Sequence, residues 1–202
     1  VTIEDISLSI HHRKELQQRA RVMAQQADLA SSLLQHSDWL SLLQQSLPQL
    51  GQTLEADAIY LYQNKSSELS EQLALWQQDQ TYRFPRFQLG AKDNLARSYL
   101  TEHFAAGQVI AGQVELLPEL IRHLWAKVGV SAIALVPVML DGSWWGVLGV
   151  ESRAADRRWN TVEMDALKML ATALGAAIKR QRFESSLRQA GAVFQSTREG
   201  IM

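Results

Sequence analysis

Cysteine is absent from this chain of 202 residues. No disulfide, zinc–thiolate site, thiol nucleophile or thioether-linked chromophore can form from it. An excess of either charge is missing too: Lys+Arg is 20 and Asp+Glu is 21, a net charge of −1. That balance argues against nucleic acid as a partner. No apolar run approaches the ~20 residues that span a bilayer, so no membrane contact is expected. A signal-peptide pattern and an initiator Met are also lacking. The expectation is an internal piece of a longer cytoplasmic protein. What is present is enough apolar sequence for a core, with hydrophobic residues at 47% and charged residues at 20%.

Residues 8–35 contain no Gly or Pro and read as a helix. The apolar positions Leu16, Ala20, Met23, Ala27, Ala30 and Leu34 are spaced 4, 3, 4, 3, 4. This narrow seam is the a/d pattern of a coiled coil, and it cannot bury itself alone. A homodimer is expected through it, against the alternative of an amphipathic helix docked on its own domain.

Residues 38–55 read as a second helix, with a kink or boundary expected at Pro48. Ala58–Tyr62 and Leu69–Trp76 read as strands. The stretch 78–112 is irregular, with a helix near Leu95–Phe104, a candidate N-cap at Asp93 and a short strand at Val109–Ala111. Pro118 suits a first helical position, and Gly129 suits the residue after that helix ends.

The clearest signal is the pair Asp141-Gly142 between two apolar runs, Ala132–Leu140 and Ser143–Ser152. It predicts a hairpin with a type I′ turn. Both strands are apolar on both faces, so layers must cover the sheet on each side. Pro137 points to an edge or a bulge, and Gly146 and Gly149 to close approaches. The last long helix starts at Thr161, with Asn160 and Glu163 as a capping box and Trp159 and Met164 as a hydrophobic staple. Met164, Leu167, Ala171, Leu174 and Ile178 repeat along it, and Leu167, Leu174 and Ile178 are expected at the dimer contact.

The order of elements predicts an α+β fold, an antiparallel sheet covered by helices with long N- and C-terminal signalling helices. Ala132–Val138, Asp141–Gly149 and Arg158–Glu163 resemble the GAF domain of bacterial sensory proteins. Leu47–Gly51 and Asp57–Tyr62 resemble the same family's first helix and strand. The ends resemble PAS domains: Val1–Ile6 with Arg13–Leu16 the exit of one, and Ala192–Met202 the opening of another. The division expected is 1–36 for a PAS exit and linker helix, 37–182 for the GAF domain, and 183–202 for the exit helix and next PAS opening. The resemblance implies neighbouring PAS domains and an output domain elsewhere, a histidine kinase or a domain for cyclic dinucleotide turnover.

No enzyme is expected in this piece. His11, His12, His36, His103 and His123 form no metal motif, and there is no phosphate loop or nucleophile elbow. In the resembled family a bilin is attached through cysteine, so a covalent bilin is excluded and the cofactor is left unknown. The family's pocket lies between the sheet and the irregular insert. That implies a small-molecule site at Trp76, Phe87, Tyr99, His103, Trp125, Trp144 and Glu151. Glu151 is the most out-of-place polar residue, at the end of an apolar strand, where it could orient a ligand or pair with Arg153. Two functions follow from the resemblance: a module that senses a small molecule and relays it by moving helices, or a ligand-free dimerisation and transmission module.

Overall fold

The computed structural model describes residues 20, 23–24, 26–65, 70–79 and 94–199, and for residues 70 and 191–199 the backbone alone. Helix α1 takes in residues 23–24 and 26–35. It is followed by α2 (Trp39–Thr53), β1 (Ala58–Asn64), β2 (Ser70–Gln77), α3 (Asn94–Ala105) and β3 (Ile110–Gln113). A 3₁₀ turn (Val114–Leu116) leads to α4 (Glu119–Ala126), β4 (Ala132–Leu140), β5 (Ser143–Ser152) and α5 (Thr161–Glu199). Leu16, Phe87 and Asp93 lie outside the described residues, as do the PAS-like positions 1–19 and 200–202.

The strands form one antiparallel sheet in the order β2-β1-β5-β4-β3. Its centre is the predicted hairpin, whose turn residues Asp141 and Gly142 have φ of 50° and 79°. Both lie in the left-handed region that a type I′ turn demands. Pro137 is tolerated because β3 reaches β4 only as far as Leu135, so its missing N–H deprives no neighbour strand on that side. A bulge follows at Val138/Met139.

Alternation along the strands divides the core in two. Ile59, Leu61, Val136, Val138, Leu148 and Val150 face α1, α2 and α5. Tyr60, Tyr62, Ile133, Leu135 and Val147 face α3 and α4. The α+β expectation of a sheet covered on both sides therefore holds.

Pro48 sits inside α2, so of the kink or boundary expected there the boundary is absent. One expected feature differs. Leu167, Leu174 and Ile178 are core residues, between 0% and 3% exposed beneath the sheet. They are not available to a partner helix. Their spacing was that of a helix facing its own sheet, which a coiled-coil seam shares over a few turns.

The capping box of α5 is formed. The Asn160 backbone N–H donates to Glu163 Oε2 at 2.9 Å, and the Glu163 N–H donates to Asn160 Oδ1 at 3.0 Å. Arg157 lies over the Trp159 ring at 4.2 Å and donates to Glu163 and to the Leu54 carbonyl. It thereby joins the start of α5 to the end of α2.

Candidate functional site

The face of the sheet under α3 and α4 carries the chemistry. On β1, Tyr60 lies opposite Gly149 of β5, and two residues further along β5 Glu151 points to the same face. Glu151 lies opposite Ala58 and Ile133, between small and apolar neighbours. It is 1% exposed. Its Oε1 accepts from the Tyr60 hydroxyl at 3.0 Å and from the Trp125 indole N–H at 2.8 Å. Trp125 comes from α4, so the carboxylate ties the helix layer to the sheet. Burial, then the negative charge of Glu151, pushes the Tyr60 hydroxyl well above its ordinary pKa. Tyr60 therefore remains a proton donor to the carboxylate.

Glycine makes this possible. A Cβ on Gly149 would lie 2.1 Å from the Tyr60 ring. The close approach expected at Gly149 is that of an aromatic side chain, and at Gly146 it is the backbone carbonyl of Tyr62.

Around this centre stand the aromatics of α3. Phe104 is fully buried and lies 5.3 Å from Trp144, centroid to centroid. Trp144 is half-buried and donates to the Gly146 carbonyl at 2.8 Å. His103 stacks on Tyr99 at 3.9 Å, and its Nδ1 lies 2.8 Å from the Tyr99 carbonyl. On the open edge of α4 a groove of about 320 Å³ is lined by Gln113, Arg122, Val130 and Ser131 among others. It does not reach Glu151.

Tyr99, His103, Trp125, Trp144 and Glu151 thus share one face. Trp76 does not. It pairs with Ile59 and shares that residue's face, where it packs on Gly51 of α2, at which a Cβ would lie 2.0 Å from its ring. The strand's alternation sends it there, and an aromatic near the insert in sequence carries no sign of which face it takes. Tyr60 is the site residue that the sequence reading did not single out. The register of β1 against β5 brings it to Glu151, and the sequence alone carries no sign of that register.

The profile of the GAF domain family matches residues 38–178. The chain belongs to the GAF domain family. Over 180 residues, 86% of this chain, it is 27% identical to the methanogenesis regulatory histidine kinase FilI of Methanothrix harundinacea. The chain spans 20% of the length of that protein. Among solved structures it is similar to the phycocyanobilin-bound GAF domain of a cyanobacterial phytochrome. The TM-score is 0.66 at 14% identity, with 81% of this chain and 96% of the other covered. It is also similar to a far-red-absorbing domain with bound biliverdin IXa, at TM-score 0.63 and 15% identity, covering 78% and 99%.

These structures correct the expectation about cofactors. The lack of cysteine had excluded a covalent bilin and left the cofactor unknown, yet GAF domains that share this fold hold biliverdin and phycocyanobilin. Among the described residues no three His, Cys, Asp or Glu side chains cluster as a metal site, and no helix is long and apolar enough to cross a membrane.

Proposed function

We propose that this GAF domain is the sensory module of a longer signalling protein, taking a small molecule on the α3/α4 face of its sheet. Glu151 carries the reading. A carboxylate held in an apolar face costs free energy that an apolar side chain would not, and this marks the position as a candidate for function. A carboxylate has about four acceptor positions. It suits a ligand rich in N–H or O–H donors, and Tyr99, His103 and Trp144 supply a half-buried aromatic rim. Bilins, held by the similar domains, have that donor-rich, conjugated character. The similarity to a histidine kinase supports a signalling context, and the output chemistry is assigned to a domain elsewhere in the longer protein.

In this reading the chain is a homodimer. Met23, Ala27 and Leu34 supply an outward seam on the N-terminal helix, with Ala30 at its margin. Ligand binding shifts α5 and so the flanking domains, by favouring one of two packings. PAS domains are the proposed neighbours.

A second reading has one observation behind it. Tyr60, Phe104 and Trp125 are 0–1% exposed, as expected of a closed face that dimerises and transmits without a ligand.

Native mass spectrometry of freshly purified protein separates the two. The sensory reading predicts an added small-molecule mass on the wild type that is lost in Glu151→Leu. Bare chain masses in both would overturn it and leave the transmission reading.

A further inference from the structure

Helix α1 has two faces. Gln26, Leu29, Ala30 and Leu33 are buried, at 0%, 8%, 7% and 0% exposure. Met23 and Leu34 are 49% and 48% exposed, and Ala27 is exposed between them. At about 100° per residue the two sets centre roughly a quarter turn apart, with Ala30 between them. An apolar seam therefore faces out while an amide faces in.

The buried face fits poorly. Among the described residues, neither the oxygen nor the nitrogen of the Gln26 side chain has a hydrogen-bond partner. A buried amide without partners opposes the docking that buries it. A groove of about 240 Å³, lined by Asp28, Leu29, Ser32, Leu42, Ser46 and others, also runs between α1 and α2.

What holds the end of α1 comes from α5. The Arg180 guanidinium donates to the carbonyls of Leu33, Leu34 and His36. These are carbonyls at the C-terminal end of α1, where no further helical turn supplies donors. A cation there is also favoured by the helix dipole. One residue on, Gln181 Oε1 accepts from the Trp39 indole at 2.7 Å, just where α2 begins. Glu184, one turn further along α5, lies 3.6 Å from Arg180 Nε and offers the guanidinium another partner.

We infer that α1 is a two-position switch helix, latched in its docked position by Arg180 and opposed there by Gln26. A shift of α5 that withdraws Arg180 from the three carbonyls releases α1 and leaves the guanidinium to the ion pair it already makes with Glu184. The leading and exit helices thus report on each other directly, through one side chain. The switch does not depend on a ligand at Glu151.

Amide hydrogen exchange on the 202-residue chain tests this, because changes at Arg180 and at Gln26 move α1 in opposite directions. Arg180→Ala should speed exchange of the α1 amides at least tenfold and leave the β4–β5 hairpin unchanged. Arg180→Lys keeps the charge but cannot span three carbonyls, and should give a smaller acceleration. Gln26→Leu should slow α1 exchange several-fold. Unchanged α1 exchange in both Arg180 variants would overturn the latch. So would equal acceleration of α1 and the hairpin, which would make Arg180 a support of the whole domain. Faster α1 exchange in Gln26→Leu would overturn the opposing role of Gln26.

Discussion

The Trp125 indole N–H donates to Glu151 Oε1 across 2.8 Å, joining α4 to the end of β5 with both side chains 1% exposed. The bond is charge-assisted, and a charged acceptor roughly doubles the strength of a neutral hydrogen bond. A double-mutant cycle of Trp125→Phe and Glu151→Leu should give a coupling energy of about 1–3 kcal/mol in chemical denaturation. Each single change removes the bond between the two, and the Tyr60–Glu151 bond lost with Glu151 is common to that single change and the double change, so it cancels in the cycle. Strict additivity would contradict the pairing.

Stability should fall at high pH through Tyr60. Its folded-state pKa is raised well above the ordinary tyrosine value of about 10, by burial first and then by Glu151. The unfolded chain therefore loses this proton first as pH rises. The contribution is fully present below about pH 10 and is lost above it, at up to ~1.4 kcal/mol per pH unit for one proton. Denaturation of the wild type and Tyr60→Phe between pH 8 and 11 reads the difference. Parallel curves would mean that Tyr60 ionises in the folded protein as it does in the unfolded one.

Gly149→Ala should destabilise the domain by about 1–3 kcal/mol, as overpacking does. The new methyl would stand 2.1 Å from the Tyr60 ring. That ring is fully buried and anchored to Glu151, so it has nowhere to move. A thermal melt checks the loss. Trp fluorescence should change as well, since Trp125 shares the carboxylate with Tyr60.

Much of this was legible from local signals. The hairpin followed from Asp141-Gly142 and the start of α5 from Asn160 and Glu163, because turn chemistry and capping are fixed by residues next to each other. The face of a side chain is a different kind of fact. Glu151 could be picked out because a carboxylate on an apolar strand breaks the pattern. Its partners Tyr60 and Trp125 lie 91 and 26 residues away, and only strand register and helix packing bring them together. Trp76 was placed on the wrong face for the same reason. Leu167, Leu174 and Ile178 show the limit of periodicity: a heptad-like stripe records that a helix is buried along one side, and not whether its own sheet or a second chain covers it.

The outward seam of α1 gives a separate prediction. Replacing Met23 and Ala27 with Glu should convert the proposed dimer to a monomer, read as mass in solution by light scattering. Both positions are exposed in the single chain, so the folded domain should be unharmed. An unchanged dimer mass would place the contact elsewhere.

The central claim is that the face around Glu151 takes a ligand. A crystal structure of the domain, purified from its own host and frozen without added ligands, tests this most directly. The sensory reading predicts a bound small molecule in contact with Glu151 and rimmed by Tyr99, His103 and Trp144. The same face without any bound molecule, closed by Trp125 and Phe104 as it is in the ligand-free chain, would contradict it.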